Sequence, residues 1–63
     1  MTKDTAISHY NRLQGTLQVI AELSRHGDAP EVYKEDLNIA IGRIVAAQGK
    51  LPWSPETGDR TRG

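Results

Sequence analysis

The stretch Arg25-His26-Gly27-Asp28-Ala29-Pro30-Glu31 divides the chain into two apolar repeats of helical period, and this break constrains the fold more than any other feature. Before it, Ala6, Tyr10, Leu13, Leu17 and Ile20 recur at spacings of 4, 3, 4 and 3. That rhythm lines one face of a helix, whereas a strand needs strict alternation. After it, Tyr33, Leu37, Ala40, Ile44, Ala47 and Leu51 follow at 4, 3, 4, 3 and 4, a heptad seam. The break itself carries a stop and a start. Arg25 and His26 place positive charge in a last turn, and Gly27 suits the left-handed position just beyond it. Asp28, Pro30 and Glu31 read as a capping box, with Asp28 as N-cap and Glu31 folding back onto it. So short a connection makes the two helices antiparallel neighbours.

The expected fold is therefore all-α. An antiparallel helical hairpin occupies residues 1–53, with one helix over about 4–26 and a second over about 29–48. Thr2, Asp4 and Thr5 can each cap the first helix through a side-chain oxygen. Gly49 and Pro52 end the second. Residues 54–63, nearly devoid of apolar side chains, are expected to form a flexible tail.

Length now matters. A chain of 63 residues buries only about 60% of its unfolded surface and needs a supplement to its core. With no cysteine, disulfides and finger-type zinc sites are ruled out, which leaves oligomerisation. Two hairpins about a two-fold axis would make a four-helix bundle. Its expected dimer core is Tyr10, Leu13, Leu17, Ile20, Leu37, Ala40, Ile44 and Ala47, large residues alternating with small ones for interdigitation. Apolar residues remain outside these seams: Ile7, Val19 and Leu23 in the first helix, and Val32, Ile39, Ile41 and Val45 in the second. Val19 with Leu23, and Ile41 with Val45, lie four apart and form short ridges. A contiguous apolar surface of that kind marks an interface. The expected partner-binding residues are Val19, Leu23, Tyr33, Ile41, Val45 and Trp53, the last also suited to folding back over the open end of the hairpin.

Chemistry finds little to work with. His9 and His26 stand about 25 Å apart along one helix, at 1.5 Å per residue. Ser8 and His9 are adjacent and face different ways, so they make no nucleophile–base pair. Glu22, His26 and Asp28 are better read as charges at a helix end than as metal ligands, and Gly15, Gly42 and Gly49 lack the spacing of a phosphate-binding loop. The expectation is no catalytic residue, no metal, no cofactor and no enzymatic activity. No apolar run is long enough to span a bilayer, and no apolar segment follows Lys3 in the manner of a secretory leader. The expected location is cytoplasmic. Eight Lys and Arg balance eight Asp and Glu, so a strong electrostatic attraction to nucleic acid is absent.

One polar face of the first helix supports an alternative. Asn11, Gln14, Gln18 and Arg25 line it, with Lys3 and Arg12 nearby, and are placed to meet RNA phosphates and base edges. In chain length, the Met1-Thr2-Lys3 start, hairpin organisation and the residues Lys3, Gln18 and Arg25, the layout resembles the small plasmid-encoded RNA-binding hairpins that dimerise into four-helix bundles. Gly27-Asp28-Ala29-Pro30 departs from that family's loop, and the resemblance is one of architecture. What it implies is an RNA-binding hairpin dimer acting as a regulatory adaptor. The neutral charge favours a different expectation: a homodimer that binds and inhibits another protein, such as a transcription regulator or an enzyme. By size and style this matches accessory proteins of phages and mobile elements.

Overall fold

Two helices and a short antiparallel ladder make up a computed structural model that describes residues 1–56 and 58–59. Helix α1 runs over Lys3–Ser24 and helix α2 over Glu31–Gly49. Of the three candidate caps, Thr2 takes the position. Its backbone is extended and its Oγ1 accepts the Thr5 N–H at 3.2 Å, while the Ala6 N–H reaches the Thr2 carbonyl at 2.9 Å.

The break between the helices differs from the expected capping box. Pro30 is the residue that flanks α2, with φ −62° and ψ 148°, and no side chain caps this end. Asp28 lies in a turn closed by the Ala29 N–H on the His26 carbonyl at 3.2 Å. The physical reason is the residue before proline. With Asp28 as cap, Ala29 would be the first helical residue, yet the ring of Pro30 disfavours the helical region for its predecessor. The helix therefore starts after the proline.

Neither helix ends in a left-handed residue. Arg25 and Lys50 keep right-handed backbone, and their N–H groups reach back three residues to Glu22 and Ala47 at 3.1 and 3.0 Å. This tightened last turn supplies carbonyl partners that the expected conformations at Gly27 and Gly49 would have supplied. Among the described residues only Gly58 has a positive φ, +73°.

Gly58 belongs to a second correction. Strand β1, Trp53–Ser54, pairs antiparallel with β2, Gly58–Asp59, setting Trp53 opposite Asp59 and Ser54 opposite Gly58. The segment after Trp53 is thus not a featureless tail. Pro55 and Gly58 provide the turn chemistry, and Ser54, 2% exposed, is anchored inside the molecule. The remainder of the expected tail, residues 57 and 60–63, lies outside the described residues.

α1 and α2 pack along their lengths, and β1 packs against α1. Ala6 is the one buried hydrophobic residue among those described, and no large side chain is fully buried. Tyr10, Leu13, Leu17 and Ile20 of α1, with Leu37, Ala40 and Ile44 of α2, are half-buried by this intrachain packing. The seam on α2 is rotated from the expected one. Ala47 and Tyr33 are exposed, while Lys34 and Ile41 are half-buried and Gln48 is buried. At about 100° per residue, the columns 33/40/47 and 34/41/48 flank Leu37 and Ile44 on opposite sides, and α2 is turned so that the second column faces further inward than the first.

Candidate interaction surface

Gln48 shows how tightly the far end of the hairpin is set. Its Nε2 donates to the Tyr10 carbonyl at 3.3 Å and to Gln14 Oε1 at 3.1 Å, joining α2 to the middle of α1. A buried amide is tolerated because these hydrogen bonds replace water. Trp53 closes the same end. It is half-buried, and the Lys3 ammonium lies 5.7 Å from its ring centroid, within cation–π reach. The fold thus uses Trp53 to cover the start of α1.

Between these elements runs a cleft of about 350 Å³, lined by Tyr10, Gln14 and Leu17 of α1, Val45, Gln48 and Gly49 of α2, and Ser54 and Glu56. The turn after Trp53 makes this cleft by folding a third wall, Ser54 and Glu56, alongside the two helices.

The exposed aliphatic side chains of the two helices fall on three separate surfaces. Val45, 51% exposed, borders the cleft beside Gln14. Val19 and Leu23 are 55% and 44% exposed and occupy the opposite flank of α1, since five residues along a helix turn the side chain through about 140° from Gln14. The two ridges read from the sequence therefore do not merge into one patch, and Ile41 is half-buried against the hairpin interior. The third surface is the outer side of α2, where Val32 is 72% and Ile39 60% exposed. Tyr33 is exposed near the loop end.

Of the polar residues considered for RNA, Asn11, Gln18 and Arg25 are exposed on α1. Gln14 accepts the Gln48 amide and Lys3 sits over Trp53, so both also serve the fold. Among the described residues no three His, Cys, Asp or Glu side chains are grouped to hold a metal, and no helix is long and apolar enough to cross a membrane.

Comparison with protein-family models, with curated proteins and with solved structures finds no match for this chain. The reading of its function rests on the surface just described.

Proposed function

We propose that this chain is a non-enzymatic interaction protein: it pairs with a second copy into a four-helix arrangement and binds another protein, inhibiting a regulator or an enzyme. The observation that carries this reading is the imbalance of its apolar surface. The two helices bury one hydrophobic residue, Ala6, and leave six large ones exposed: Val19, Leu23, Val32, Tyr33, Ile39 and Val45. Removing such surface from water is worth about 25 cal/mol per Å², so a protein surface that covers it is strongly favoured over solvent. Two copies covering part of it still present the remainder twice. The Val19–Leu23 ridge, remote from the cleft and from α2, is the surface assigned to the partner.

The experiment compares wild type, Val19→Asp and Asn11→Asp as bait in the native host. Both substitutions are at exposed positions, so the fold tolerates either. A protein retained by wild type and by Asn11→Asp, lost with Val19→Asp, and whose activity falls when the purified chain is added, fits the proposal. The same proteins retained by all three baits would refute it. If instead structured RNA binds with strong salt dependence, and binding is lost in Gln18→Ala/Arg25→Ala, the chain is an RNA adaptor.

A further inference from the structure

We infer that the second copy docks on the outer face of α2, antiparallel to it, with the two-fold axis passing between residues 39 and 40. This rests on the self-pairing part of the reading above and names the face that does it. Val32 and Ile39 are the most exposed large hydrophobic side chains of the two helices, at 72% and 60%. They stand seven residues apart, and exposed Ala46 follows seven further on, so the three form a line along α2. The line points away from Leu37 and Ile44, which face α1.

The flanks of that line decide the orientation. At about 100° per residue, Asp36 and Arg43 border one edge, and Glu35 and Gly42 border the other. An antiparallel pairing brings like edges together. With the axis midway between Asp36 and Arg43, the Asp36 carboxylate of each copy lies beside the partner's Arg43 guanidinium, so the ion pair forms twice. Ile39 meets its own counterpart near the axis, and Val32 meets the small Ala46. On the second edge Glu35 faces the partner's Gly42, where even an added Cβ would meet nothing within 4 Å in the single chain. A parallel pairing would set unlike edges together and put Asp36 beside the partner's Glu35, two like charges. Charge complementarity thus selects the antiparallel arrangement. Among the described residues of one chain the ion pair present is Lys34–Glu31 at 4.0 Å, and Asp36 and Arg43 have no such partner. A single helix–helix contact falls short of the roughly 800 Å² per partner of a stable interface, so the dimer is concentration-dependent.

Absence of cysteine makes the test direct, because each single-cysteine variant reports one position. Under mild oxidation Ile39→Cys is expected to give a disulfide-linked dimer as the main product, while Val19→Cys, comparably exposed, pairs without forming the disulfide link. In sedimentation, Asp36→Arg and Arg43→Asp are each expected to weaken the dimer by about three- to tenfold, and the doubly reversed chain to recover most of that loss. Circular dichroism confirms that each variant keeps its helices. A dimer that crosslinks through Val19→Cys or Leu13→Cys but not through Ile39→Cys would overturn this face and leave self-pairing intact. Charge reversals that change nothing, singly or together, would overturn the antiparallel register. A wild-type chain that stays monomeric at near-millimolar concentration would overturn both the face and the self-pairing.

Discussion

Gln48 is the residue on which the far end of the hairpin turns. It is the buried residue of α2, and its amide ties that helix to Tyr10 and Gln14 of α1. Gln48→Ala removes packing and hydrogen bonds together and is expected to lower stability by about 1–2 kcal/mol in chemical denaturation. Gln14→Ala removes an exposed acceptor that water replaces, so its cost is expected below about 0.5 kcal/mol. Equal costs at the two positions would show that the contact does not organise this end. A hydrophobic repeat has no means of registering Gln48, because the residue is polar and its burial depends on a partner 34 positions away. Sequence periodicity assigned the neighbouring Ala47 to the seam for that reason. Trp53 is the opposite case: its place just past the helix end, after Leu51-Pro52, already suggested a side chain folding back, and the Lys3 contact shows where it goes.

At the scale of the element, the two helix starts offer a paired test. Thr2 caps α1 through its side chain, whereas Asp28, though part of a capping pattern, stands outside α2. Thr2→Ala is therefore expected to cost about 1 kcal/mol, and Asp28→Ala to stay within about 0.5 kcal/mol of wild type. Thermal unfolding of the two variants decides between this and the capping-box reading, which requires the Asp28 substitution to be costly. Gly15 poses a different question. It is an interior residue of α1, exposed, with open space around an added Cβ. Gly15→Ala is expected to raise stability by about 0.5–1 kcal/mol through the helix's lower backbone entropy loss, read as a rise in Tm. A fall in Tm would show that a partner backbone approaches α1 at this point. Helix existence and length were legible because two long repeats and a glycine–proline break all agreed. The ladder was not, since two-residue strands carry no periodicity and Gly58 signals only that a turn is possible.

At the scale of the whole molecule the hairpin is long and thin. Its Cα radius of gyration is 14.0 Å, with principal extents of 45 × 17 × 17 Å, against roughly 10.6 Å for a compact domain of this length. A shape like this exposes both sides of every helix, and one buried alanine among the described residues is a slender core. Stability is accordingly expected to depend on protein concentration. Tm should climb as the chain is concentrated, because a second copy binds the folded state and not the unfolded one. A Tm constant across a hundredfold concentration range would mean that the hairpin stands alone.

Local rules acting over three to seven residues were enough to establish two helices, their antiparallel run and the shortage of core, since each of these follows from spacing, capping and length. The α1 and α2 faces that meet, the burial of Gln48 in place of Ala47, the wall that turns a groove into a cleft, and the separation of Val19 from Val45 were decided only in three dimensions. Each depends on the rotation of one helix about its axis relative to another. That rotation is set by the sum of all interhelical contacts, and a turn of about 50°, half of one residue's angular step, leaves the repeat unchanged but exchanges an exposed residue for a buried one.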